Sequence, residues 1–150
     1  AVVVHADRVR AEIGPVRVGG GMVDIAGYRL VPVDVGNPHA VALVADCYAV
    51  PLAAAGPLVE TDPAFPGGVN AEFATVIDRG RIALRVWERG AGETLACGTG
   101  AVAATAAARA GGLVGDAVTV HLPGGDLRVE IVGDVAWIEG PARSVYRGVW

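Results

Sequence analysis

The sequence predicts an α+β fold: a strongly bent, mostly antiparallel sheet wrapped around one hydrophobic helix, with a second helix outside. Three observations predict it. β-Branched runs separated by glycine and proline turns fill both ends of the chain. The stretch Ala101 to Ala110 is small and apolar on every side, which is the pattern of a buried helix. A second stretch, Leu52 to Glu60, has helical spacing and stops before Thr61-Asp62-Pro63. No internal repeat or low-complexity linker divides the 150 residues, so the chain reads as one domain, large enough to bury a core.

The elements follow in order. Val9 to Ile13, Val16 to Val18, Met22 to Ile25 and Tyr28 to Val35 are expected strands, separated at Gly14-Pro15, Gly19-Gly20-Gly21 and Gly27. Asn37-Pro38 interrupts the pattern and His39 to Val44 resumes it. After the Leu52–Glu60 helix, Phe65-Pro66-Gly67-Gly68 is a loop. Asn70 to Asp78 and Arg81 to Glu88 form a hairpin turning at Arg79-Gly80. A glycine-rich segment from Gly90 to Gly100 leads into the buried helix. Gly111-Gly112 stops that helix, and Arg109 suits the negative end of its dipole. Four more strands are expected: Val118 to Leu122, Leu127 to Val132, Val135 to Glu139 and Ser144 to Val149. Pro123-Gly124-Gly125 and Gly133-Asp134 supply hairpin turns between them.

Composition narrows the function. Hydrophobic residues make up 53% of the chain, mostly dispersed Ala and Val, and no apolar run reaches the roughly 20 residues that span a bilayer. No basic region followed by a short apolar core opens the chain, so a soluble cytoplasmic protein is expected. The net charge of −4 and the scattered arginines argue against nucleic acid as a partner. Two cysteines are too few for a disulfide framework. The chain contains no lysine, which removes a Schiff-base lysine for pyridoxal phosphate and a P-loop lysine. No His/Cys/Asp/Glu cluster has metal-ligand spacing, so no metal is expected.

The chemistry concentrates between Glu88 and Gly100, Glu-Arg-Gly-Ala-Gly-Glu-Thr-Leu-Ala-Cys-Gly-Thr-Gly. It places the Cys97 thiol at the start of a buried helix. Unpaired N–H groups there carry partial positive charge, can hold a carboxylate, and are expected to lower the thiol pKa. The glycines let a ligand approach the backbone. Glu88 and Arg89, at a strand end, suit an amine and a carboxylate respectively. This is an amino-acid pocket with a reactive cysteine. Gly98-x-Gly100-x-x-Ala103 also matches a dinucleotide fingerprint, but a loop rather than a strand precedes it and the flanking strands read as antiparallel, so that reading fails.

Glu-Arg-Gly-x-Gly-Glu-Thr-x-Ala-Cys-Gly-Thr-Gly resembles the second cysteine motif of the diaminopimelate epimerases. Gly36-Asn37-Pro38-His39-Ala40-Val41 and Val69-Asn70-Ala71-Glu72-Phe73 resemble two further signatures of that family, in family order. Asn37 and Asn70 are the only asparagines in the chain, and both fall in these motifs. The resemblance implies a diaminopimelate epimerase-like fold and a cofactor-independent isomerase of lysine biosynthesis, interconverting LL- and meso-diaminopimelate. It implies that Cys97 is catalytic and that His39 and Glu88 tune its acidity. It further implies that Asn37, Asn70, Glu88 and Arg89 bind substrate, with Gly98 and Thr99 holding a carboxylate. Two cysteines on opposite faces of the α-carbon would then exchange its proton.

One element of the family pattern is missing. The second catalytic cysteine motif belongs to an amino-terminal half, and Cys47, in Ala-Asp-Cys-Tyr-Ala, does not supply it. Cys47 is read as a packing residue. The chain is thus expected to be the carboxy-terminal half of a two-domain epimerase, inactive alone, with the other half as partner and homodimerisation left open. A proline or hydroxyproline racemase-type domain shares Cys-Gly-Thr-Gly, but the Asn-Pro-His and Val-Asn-x-Glu-Phe signatures argue against it. A non-catalytic amino-acid-binding domain is the alternative from another class. His5, His121 and Glu93 are read as surface or structural residues.

Overall fold

The computed structural model describes residues 1–5 and 7–149. Its strands are β1 (Val2–His5), β2 (Arg8–Pro15), β3 (Arg17–Val18), β4 (Val23–Ile25), β5 (Tyr28–Asp34), β6 (Pro38–Leu43), β7 (Asn70–Asp78), β8 (Arg81–Glu88), β9 (Gly92–Thr94), β10 (Ala117–Leu122), β11 (Gly125–Val132) and β12 (Val135–Pro141). Two α-helices, α1 (Leu52–Glu60) and α2 (Gly98–Ala110), and a short 3-10 turn at Cys47–Ala49 complete it. The strands form one sheet in the order β1-β2-β12-β11-β10-β8-β7-β6-β5-β3, with β4 on β5 and β9 on β8. All pairings are antiparallel except β6 with β7 and β8 with β10. The expected α+β class and the two helices are present. No helix among the described residues is long and apolar enough to cross a membrane.

Alternation along the strands sorts side chains to two cores, because successive residues face opposite sides of a sheet. In β6, Val41 joins the cluster around α2, while Ala40 and Ala42 join the cluster beside α1. In β7, Ala74 faces α2 and Ala71 and Phe73 face α1; in β8, Ile82, Leu84 and Val86 face α2 and Ala83 faces α1. Helix α2 is buried from Gly100 to Ala108, as a helix with no polar face requires. The same alternation puts His39, Glu72 and Glu88 on the α2 side, the side where Cys97 lies.

Helix α1 is clamped to the site by Trp87. The indole packs over Gly56, and its Nε1 donates to Glu60 Oε2 at 2.7 Å, while Glu60 Oε1 accepts from the Gly90 backbone N–H at 2.8 Å. A Cβ at position 56 would sit 2.4 Å from two indole carbons. Gly56→Ala should therefore destabilise the chain by about 1–3 kcal/mol, from overpacking that outweighs the ~1 kcal/mol gain in helix propensity. A urea melt showing an unchanged or higher midpoint would contradict this reading of the clamp.

One expected strand is absent. Ser144 to Val149 has β-branched and aromatic residues but forms no strand, with Val145 91% and Tyr146 84% exposed. The preceding strand, β12, already pairs with β11 and β2 on its two sides, so no adjacent edge is open to this segment. Strand β1 is exposed on every residue, and β9, at three residues, is too short to show a pattern in the sequence.

Candidate active site

Helix α2 opens at Cys97. The Cys97 backbone is extended (φ −143°, ψ 113°), and its Sγ accepts from the Gly100 N–H at 3.3 Å, so the thiol caps the helix as a serine would. Thr99 Oγ1 lies 3.6 Å from the sulfur. The N–H groups of Gly98 and Thr99 find no hydrogen-bond partner among the described residues and stay available at the helix start. Gly98 packs against Ile138, where a Cβ would lie 3.2 Å from Cδ1.

The acidity of the thiol runs against the expectation from the helix start alone. Burial pushes the Cys97 thiol up; Thr99 and the Gly100 N–H pull it down, and the Glu88 carboxylate adds to the rise. The helix start acts in the expected direction, but desolvation of a residue that is only 9% exposed is larger. Of the two expected tuning residues, Glu88 acts on the thiol and His39 is not among the influences on it.

Glu88 ends β8 on the α2 face, and its Oε1 accepts from Thr94 Oγ1 at 2.5 Å, which fixes the carboxylate across the β8–β9 turn. Arg89 follows on the exposed side. Its guanidinium donates to Gly67 O at 3.1 Å, and it lines a cleft of about 400 Å³ with Asp62, Phe65 and Gly68. Asn70 ties these pieces together: its Nδ2 donates to Pro38 O at 2.9 Å and its Oδ1 accepts from the Arg89 N–H at 2.9 Å. One Nδ2 hydrogen remains for a further partner.

Asn37 and His39 line a neighbouring cleft of about 500 Å³, with Arg17, Asp34 and Phe65. Asn37 Oδ1 meets His39 Nε2 at 3.0 Å. On its other edge, His39 Nδ1 meets Glu72 Oε1 at 2.6 Å, with both side chains wholly buried. Burial lowers His39 to about 4, more than Glu88 and Asp34 raise it, with Arg89 lowering it further. Burial likewise raises Glu72 well above the usual carboxylate range. Gly100 makes room for this arrangement: a Cβ there would lie 3.0 Å from Glu72 Oε1 and 3.2 Å from Cys97 Sγ.

The expected residues thus fall around one corner of the fold. Asn37 and His39 share one cleft and Arg89 the next, with Phe65 common to both; Cys97, Gly98, Thr99 and Glu88 cluster at the start of α2 and line neither. Glu72 carried no assigned role in the sequence, yet it is buried between His39 and Gly100. Its spacing of two from Asn70 was the available signal, since both then share a face of β7. Cys47 is fully buried in the cluster beside α1, which suits packing, and both cysteines are free. Among the described residues no group of three His, Cys, Asp or Glu could hold a metal ion.

The class follows from the fold. A solved hydroxyproline epimerase from Agrobacterium vitis, with bound trans-4-hydroxy-L-proline, superposes with a TM-score of 0.72 over 91% of this chain and 50% of that one, at 21% identity. The chain therefore shares the fold of that protein. A family model described as diaminopimelate epimerase matches residues 31–145. A diaminopimelate epimerase of Pelotomaculum thermopropionicum is 50% identical over 137 residues, covering 89% of this chain and 49% of that protein. One of Chromobacterium violaceum is 52% identical over 115 residues, covering 75% and 42%. The chain belongs to the diaminopimelate epimerase family. It spans about half the length of the curated relatives it matches.

Proposed function

We propose that this chain is the carboxy-terminal half of a cytoplasmic diaminopimelate epimerase, and that Cys97 is one of two thiols that exchange the α-proton. The observation behind this reading is the helix start. A thiol sits beside two unpartnered N–H groups and a fixed carboxylate, in a chain half-identical to proteins of that name. The N–H groups of Gly98 and Thr99 are suited to the substrate α-carboxylate, and Glu88 to its ammonium group. The remaining Asn37 and Asn70 amide hydrogens and Arg89 are suited to the distal carboxylate.

The raised thiol pKa gives Cys97 a first role. Burial keeps it protonated, so it donates to the carbanion face it meets. The base on the opposite face is a second thiolate from the part of the relatives that this chain does not span. In the reverse direction the roles exchange, as microscopic reversibility demands. No electron sink is required if the α-carboxylate is held by helix-start dipoles as charge develops. The absence of lysine agrees with a route independent of pyridoxal phosphate.

The test is α-proton exchange into deuterated water. The full-length protein should exchange and epimerise diaminopimelate and leave proline untouched, and the 150-residue chain alone should do neither. Turnover by the isolated chain would remove the second thiol from the scheme. Exchange of proline but not diaminopimelate by the full-length protein would reassign the substrate.

A further inference from the structure

The buried Glu72 carboxyl has no part in the chemistry above, and its surroundings define one. It contacts His39 through Oε1 at 2.6 Å, and the imidazole contacts Asn37 Oδ1 through Nε2 at 3.0 Å. Both charged-capable side chains have no solvent exposure. Glu72 Oε2 is buried with no hydrogen-bond partner among the described residues. An ionised carboxylate would leave that oxygen's charge unsolvated, which burial strongly disfavours. A neutral carboxyl needs only a donor role for its hydroxyl, and Oε1 has an acceptor at short range.

The donor pattern then closes in one way. If Oε1–H donates to His39 Nδ1, that nitrogen is the acceptor and Nε2 carries the ring hydrogen. Nε2–H donates to Asn37 Oδ1, which fixes the amide orientation and turns Asn37 Nδ2 away from His39, toward the 500 Å³ cleft that Asn37 lines. In this assignment each of the two His39 contacts, with Glu72 Oε1 and with Asn37 Oδ1, has one donor and one acceptor. Glu88, Asp34 and Arg89 are the charged groups that act on His39 from outside the pair.

We propose that Glu72 is a positioning residue: its protonated carboxyl locks His39 as the Nε2–H tautomer, and His39 in turn orients the Asn37 amide so that it offers a hydrogen-bond donor to the cleft. Glu72 touches no ligand; it acts through His39. The proposal stands apart from the choice of substrate, because it concerns the state of three side chains in the ligand-free protein.

The experiment is spectroscopic and uses the chain at neutral pH. Infrared spectra should show one protonated-carboxyl C=O band in the wild type that is lost in Glu72→Gln. Nitrogen-15 spectra of histidine-labelled chain, with His39 assigned by its loss in His39→Gln, should show the Nε2–H tautomer. Glu72→Gln should keep that tautomer, because its amide N–H replaces the carboxyl donor. Glu72→Leu should lose it and give mixed tautomers. A role in packing alone would leave the tautomer unchanged in Glu72→Leu and overturn the proposal. So would an imidazolium or Nδ1–H signal, or a missing carboxyl band, in the wild type. Should Glu72→Leu fail to fold, the wild-type and Glu72→Gln spectra decide the matter by themselves.

Discussion

Cys97→Ser in the full-length protein will lower α-proton exchange by roughly 10²–10⁴-fold, the usual worth of a positioned acid or base, while leaving folding stability almost unchanged. The separation follows from the two jobs of this side chain. As a helix cap, Sγ accepts from the Gly100 N–H, and a hydroxyl oxygen in the same place accepts at least as well. As an acid–base group, a serine hydroxyl ionises too reluctantly to take the proton back. Cys97→Ala removes both functions, so it should lose the same activity and also about 1 kcal/mol of stability. Exchange rates and urea midpoints measured on both variants check this. Near-wild-type exchange by Cys97→Ser would take Cys97 out of the reaction, and equal stability of the two variants would take it out of the cap.

The stability of the wild type relative to Glu72→Gln will fall as pH rises above about 4.5, by up to tenfold in the folding equilibrium per pH unit. The sign comes from the two buried groups. His39 falls from 6.5 to about 4 on folding, so its share of stability is lost as pH drops through that range, where the unfolded chain binds the extra proton. Glu72 rises from 4.5 on folding, so its share is lost as pH climbs from 4.5 toward its raised value, where the folded chain holds the extra proton. Just above pH 4.5 the two slopes oppose each other, and comparison with Glu72→Gln, which keeps His39, isolates the Glu72 slope. The proton count belongs to the pair, so the result does not depend on which of the two atoms holds it. Chemical denaturation of wild type and Glu72→Gln across pH 5–9 measures the difference, and parallel curves for the two would exclude a raised Glu72.

Much of this was legible locally. The alanine run with no polar face, the glycines before it and the cysteine at its start are short-range features, and a helix start is a short-range event. Hence Cys97, Gly98, Thr99 and the boundaries of α1, β7 and β8 could be placed from sequence. The segment Ser144 to Val149 shows the limit of that logic, since β-branched residues make a strand only where a partner edge is free. Cys97 shows a second limit. Its helix start pulls the thiol down, but the sign of the whole depends on how deeply the rest of the fold buries it.

The family, the central helix and the cysteine that caps it were thus readable from local sequence. The neighbours of those residues came from long-range packing. His39 and Glu72 are 33 residues apart and meet because β6 and β7 pair in parallel, in a register that sets Glu72 opposite Val41, two residues beyond His39 on the same face. Register between strands so distant in sequence is set by packing of the two cores against α1 and α2, not by any local pattern. A buried proton between an imidazole and a carboxyl is thus a property of the folded chain that neither motif contains alone.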